Sequence, residues 1–81
     1  MRQDSLGDNI KLVRMLKGML QTEVADICKI SAPLLSMFET GVRTPTEEQV
    51  VKIAKALGVR PEGFKAIPKG LYEMLEKYNM S

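Results

Sequence analysis

The sequence predicts an all-α chain of five or six short helices, on three observations. Apolar residues recur at spacings of three and four in successive windows, the signature of one buried helical face. Glycine and proline fall between those windows, at Gly18, Gly41, Pro45, Gly58 and Pro68. Alternation of apolar and polar residues never lasts beyond a few positions, so no strand is expected.

The first helix is expected over 5–17. Ser5 and Asp8 form an S-x-x-D start that suits a capped N-terminus. Leu6, Ile10, Val13 and Leu16 then share one face, and Gly18 is a natural stop. A second helix follows over 21–28, with Val24, Ala25 and Cys28 inward and Lys29 and Ile30 as a short turn. Ser31 is a good N-cap for the third, and Pro33 sits in its first turn, where a missing N–H costs little. That helix runs through Glu39 and ends at Thr40 and Gly41, before a loop over 42–45. Thr46 opens the fourth helix, with Gln49 completing a capping box. Glu47 and Glu48 occupy its first turn, where the helix dipole favours negative charge. Val50, Ile53, Ala54 and Leu57 are its apolar stripe, and Gly58 ends it. A short fifth segment is expected over 61–66. Pro68 separates it from a last helix over 69–78, where Leu71, Met74, Leu75 and Tyr78 follow helical spacing.

Length and composition narrow the function. The 81 residues are expected to form a single domain, 1–81, whose small core buries about 60–65% of the unfolded surface. There is no histidine and a single cysteine, Cys28. A zinc site of Cys and His, a disulfide framework and histidine-dependent catalysis are all excluded within one chain. No nucleophile–base pair or metal cluster presents itself, so neither an enzyme nor a bound cofactor is expected. Residues 1–5 lead into no apolar run suited to a signal peptide, and no stretch approaches the roughly 18 apolar residues of a membrane span. With no disulfide possible, the expected location is the reducing cytoplasm. The net charge of +2 permits an anionic partner without demanding one.

The second and third helices carry the most information. Two helices of about eight residues joined by a very short turn have the geometry of a helix-turn-helix, whose second helix can enter a major groove. In and after this pair the chain reads Gln21-Thr22-Glu23-Val24-Ala25, then Ile30-Ser31, then Leu35-Ser36-Met37-Phe38-Glu39-Thr40-Gly41-Val42-Arg43-Thr44-Pro45-Thr46, then Ile53-Ala54-Lys55-Ala56-Leu57-Gly58-Val59. Together they resemble the Cro and phage-repressor (XRE-type) family of helix-turn-helix domains, over about residues 6–67. The resemblance implies a five-helix, lambda-repressor-like fold, here with an added C-terminal helix at about 69–78. It also implies a sequence-specific transcriptional regulator, a repressor by preference, binding double-stranded operator DNA as a homodimer through the helix at 31–39.

Residue by residue, the resemblance places Ala25 where the two motif helices cross, Ile30, Leu35 and Phe38 in the core, and Cys28 where the family has a core leucine. It pairs Arg14 with Glu39 in a partly buried salt bridge. Gln21 and the N-terminus of its helix would meet a phosphate. Ala32, Pro33, Leu34 and Met37 would face base edges, with Ser36, Thr40 and Arg43 near the phosphates and Lys17 and Lys29 adding charge. The stripe Leu71, Met74, Leu75, Tyr78 would serve as a dimer interface or fold back on its own chain.

Four features keep a second reading open. The groove-facing residues lack the bidentate donors that read guanine or adenine. Leu20 stands at the usual hydroxyl N-cap and Lys29 at the usual turn glycine. Leu20, Ile27, Leu34, Met37 and Val42 would leave apolar surface exposed, and such patches often mark protein partners. From residue 9 to 44, Lys11, Arg14, Lys17, Lys29 and Arg43 outnumber Glu23, Asp26 and Glu39 by only two. In the alternative, the same scaffold binds a protein on its recognition face. Six methionines suit an adaptable surface or a loose core alike, while Lys52 and Lys55 read as a solvated face.

Overall fold

The computed structural model describes residues 6–64. Over them run α1 (Leu6–Leu16), α2 (Gln21–Cys28), α3 (Ala32–Thr40) and α4 (Glu47–Leu57), followed by a 3-10 turn at Pro61–Phe64. The expected helix over 69–78, with Leu71, Met74, Leu75 and Tyr78, lies outside the described residues, as does Ser5. The fifth segment, expected as a short helix over 61–66, is a 3-10 turn where it is described.

Local chemistry sets the helix starts. Ser31 Oγ accepts from the Leu34 N–H at 3.2 Å. At α4, Thr46 Oγ1 accepts from the Gln49 N–H at 3.2 Å while Gln49 Oε1 accepts from the Thr46 N–H at 2.8 Å. Each bond satisfies an amide that the helix itself leaves without a partner. α2 begins differently. Leu20 has no oxygen to offer, so its first-turn amides receive no side-chain cap, and only the return bond from the Leu20 N–H to Glu23 Oε1 is made, at 2.8 Å.

The helix ends share one device. A left-handed residue follows each of them: Gly18, Gly41 and Gly58 after three, and Lys29, at φ 59°, after α2. The Lys29 N–H reaches Asp26 O at 3.2 Å and the Ile30 N–H reaches Ala25 O at 3.0 Å, closing the helix in a Schellman pattern. A β-carbon in that region costs about 1–2 kcal/mol. Lys29→Gly is therefore expected to raise stability by about 1 kcal/mol, with glycine's greater freedom in the unfolded chain cancelling the rest. An unchanged or lower urea midpoint would show that the turn holds no strain.

The core is built from all four helices and the 3-10 turn. Ile10, Val24, Ala25, Cys28, Leu35, Phe38, Ile53, Ala54, Leu57 and Phe64 form one buried cluster, with Leu6, Val13, Met19, Ile30 and Val50 packed against it. α1 packs on α3, α2 lies between α3 and α4, and the 3-10 turn closes against α1 and α4. Burial of the Cys28 thiol pushes its pKa up, and the nearby Lys52 ammonium opposes part of that shift. A thiol held protonated in this way is inert packing.

Leu16 departs from the expectation. Helical spacing groups it with Leu6, Ile10 and Val13 on one inward face, yet it is 54% exposed. The fully buried residues of α1 are Gly7, Asn9, Ile10 and Leu12, all in its first two turns. Among the described residues no element covers Leu16 itself, so helical spacing alone does not bury it. Asn9 is the polar member of the buried set, and its side-chain amide donates to the Phe64 carbonyl, tying the 3-10 turn to α1.

Candidate nucleic-acid interface

α2 and α3 are joined by residues 29–31 and pack together, and Ala25 of α2 is buried in one cluster with Leu35 and Phe38 of α3. A larger side chain there would separate the two helices. Their relative placement is fixed by one carboxylate. Glu39, in the last turn of α3, is 3% exposed. Its Oε2 accepts from Arg14 Nε at 2.7 Å, and its Oε1 accepts from Arg14 Nη2 at 3.0 Å and from Gln21 Nε2 at 2.9 Å. Arg14 Nη1 also donates to the Met19 carbonyl at 2.8 Å. A single buried anion thus joins α1, the α1–α2 connection, the first residue of α2 and α3. Charge-assisted bonds in a bidentate fork are the strong class of hydrogen bond, and their directionality fixes orientation.

With Leu35, Phe38 and Glu39 turned inward, the helical repeat of about 3.6 residues per turn places Pro33, Ser36, Met37 and Thr40 on the opposite side of α3. Pro33 and Thr40 are exposed, and Ser36 and Met37 are half-buried. Ala32 and Leu34 lie at the edges of this face and pack partly against the core. Of the four residues assigned to base edges, Pro33 and Met37 are thus the outward pair. The Thr40 hydroxyl donates back to the Ser36 carbonyl at 3.0 Å, which leaves only its acceptor capacity outward. Arg43 is exposed just beyond α3, as are Lys17 and Lys29.

Gln21 holds a double position. One of its amide hydrogens is engaged by Glu39, and one remains for a second acceptor. It stands at the uncapped start of α2, where three backbone amides and the positive helix end point outward. The structure also brings out residues that the sequence did not single out. Gly7 lies under the end of α3, and Asn9 anchors the 3-10 turn. No spacing pattern marks a buried glycine or asparagine inside a helix. Leu20, Ile27 and Val42 are exposed at 64%, 58% and 72%, whereas Leu34 and Met37 are not.

Among the described residues, no cluster of His, Cys, Asp or Glu is placed to hold a metal ion, and no helix is long and apolar enough to cross a membrane.

A family model described as Helix-turn-helix matches residues 10–64. Among solved structures, the restriction-modification controller protein C.AhdI from Aeromonas hydrophila superposes with a TM-score of 0.72 at 22% identity, over 76% of this chain and 94% of that one. The hypothetical transcription factor NHTF from Neisseria superposes with a TM-score of 0.74 at 26% identity, over 89% of this chain and 83% of that one. Among curated proteins, none matches.

Proposed function

Because this chain belongs to the helix-turn-helix family, of the Cro and phage-repressor type, we propose that it is a DNA-binding transcriptional regulator. It acts as a repressor and binds double-stranded operator DNA as a homodimer through α3. The observation that carries this reading is the Glu39 junction. It ties α3 to α1 and α2 with Pro33, Met37 and Thr40 outward and sets the uncapped start of α2 beside it. Helix-turn-helix recognition needs that arrangement: one helix end on the backbone and the next helix in the major groove.

In this reading Gln21, the first-turn amides of α2 and Arg43 bind phosphates. Ala32, Pro33, Leu34 and Met37 touch base edges, chiefly thymine methyls, while Ser36 and Thr40 contribute at the groove wall. Two copies meet through the stripe Leu71, Met74, Leu75 and Tyr78, an assignment resting on the sequence alone. They span half-sites about one helical turn apart. Occupying a promoter then blocks polymerase, in the cytoplasm. NHTF, a hypothetical transcription factor of the same fold, supports the reading.

A binding selection on random duplex DNA, followed by salt titration, tests it. Arg43→Ala is expected to weaken binding to all sequences equally and to reduce the salt slope by about 1. Met37→Ala and Pro33→Gln are expected instead to change which bases are preferred. Unchanged preference in both variants would move α3 out of the groove. A second reading, in which the same face binds a protein, is favoured by the exposed Leu20 and Val42 at the ends of the motif. Absence of duplex binding at low salt would select it.

A further inference from the structure

A groove of about 430 Å³ opens between the end of α2 and the second half of α4, lined by Ile27, Cys28, Lys29, Lys52, Lys55 and Ala56. Its floor is apolar, and its rim carries three lysines and, among the described residues, no lining carboxylate. We propose that this groove docks an acidic segment of a partner protein, one apolar side chain seated on Ile27 and Ala56 and flanking carboxylates held by Lys29, Lys52 and Lys55.

The charge is available for such a partner. Lys52 reaches Glu48 at only 3.7 Å, with both side chains largely exposed, so the pair neutralises little. Lys29 and Lys55 are exposed and have no acidic partner among the described residues. Lys52 and Lys55 are three residues apart on α4 and therefore lie on one side of it. Lys29 keeps a charged side chain on a left-handed backbone that glycine would adopt without cost. Strained positions of this kind cluster where a side chain has a task.

The apolar floor points to a protein rather than a nucleic acid. Ile27 is 58% exposed beside these lysines, and a phosphate backbone gains nothing from covering an isoleucine. An apolar anchor ringed by opposite charge is instead the anatomy of a protein interface. No α3 residue lines the groove, so occupation does not depend on the DNA reading.

The test uses the full chain, amide NMR and a short peptide carrying one leucine and one phenylalanine among aspartates and glutamates. The expected result is a saturable shift confined to Ile27, Lys29, Lys52, Lys55 and Ala56. Lys52→Gln with Lys55→Gln, and separately Ile27→Ser, are each expected to weaken it roughly tenfold, as loss of the charge or anchor contacts requires. All three side chains are exposed, so the melting temperature should stay in place. Absence of shifts, or equal binding of the Asn/Gln version of the peptide, would overturn the proposal. So would duplex DNA that perturbs the same amides and displaces the peptide, which would make the lysines phosphate contacts. If Glu73→Gln with Glu76→Gln moves the groove amides in the free chain, the occupant is the chain's own C-terminal segment, and the partner assignment fails.

Discussion

Glu39→Ala is expected to cost about 3–5 kcal/mol, the range for breaking a buried charge pair from one side. The carboxylate is the common acceptor for Arg14 and Gln21. Removing it leaves a guanidinium, itself only 12% exposed, with the Met19 carbonyl as its remaining partner. Cost therefore arises mainly from the stranded cation, not from the net worth of the pair. Glu47→Ala is the matched control: Glu47 is exposed in the first turn of α4, and its loss removes about 0.3–1 kcal/mol of helix-dipole interaction. In a chain of this size a 3 kcal/mol loss lowers the melting temperature by more than about 10 °C. Similar melting temperatures for the two variants would refute the structural role of the junction. Glu39→Gln separates shape from charge. It keeps a planar acceptor for Gln21 and Arg14, and is expected to fall between the wild-type chain and Glu39→Ala.

Gly7→Ala is expected to be destabilising, against what helix propensity says. Alanine in place of glycine inside an exposed helix stabilises by about 1 kcal/mol. At Gly7, however, an added β-carbon would stand 2.1 Å from the Phe38 carbonyl oxygen and 3.0 Å from that of Glu39. Both obstacles are backbone, so no rotamer change relieves the overlap and α1 must move away from α3. The expected net loss is about 2–3 kcal/mol, as for other overpacked sites. Because that movement also stretches the Arg14–Glu39 bonds, Gly7→Ala and Glu39→Ala together should cost less than their sum. A higher urea midpoint for Gly7→Ala would show that α1 does not approach α3 this closely.

Much of the scaffold was readable from local rules. Ser31 and Thr46 were legible as helix starts because a hydroxyl at that position bonds an amide of its own first turn. The α4 stripe was legible because Ile53, Ala54 and Leu57 are buried on one face of that helix and Val50 packs beside them. Val24, Ala25 and Cys28 are buried as the reading of α2 expects, and Leu35 and Phe38 as the family resemblance implies. Of the interface, the sequence located the motif and its outward helix. It could not rank the residues on that helix, since spacing does not say that Leu34 leans on the core while Pro33 does not.

What sequence alone specified here is what depends on neighbours within a few residues: the four helices, the caps of α3 and α4, and the turns between helices. What tertiary structure decided depends on groups that are distant along the chain. Leu16 has the right spacing for the core but, among the described residues, no element above it. Gly7 looks like a weak helix residue and is the point where two helices touch. Asn9 looks like a surface polar residue and is the buried donor to the carbonyl of Phe64. Lys29, Lys52 and Lys55 read as separate solvated charges and meet around one groove. Hydrogen-bonded turns close over three to five residues and can be read one window at a time. Burial, close approach and charge clustering arise only when the helices pack, and helical periodicity does not encode which element covers which turn.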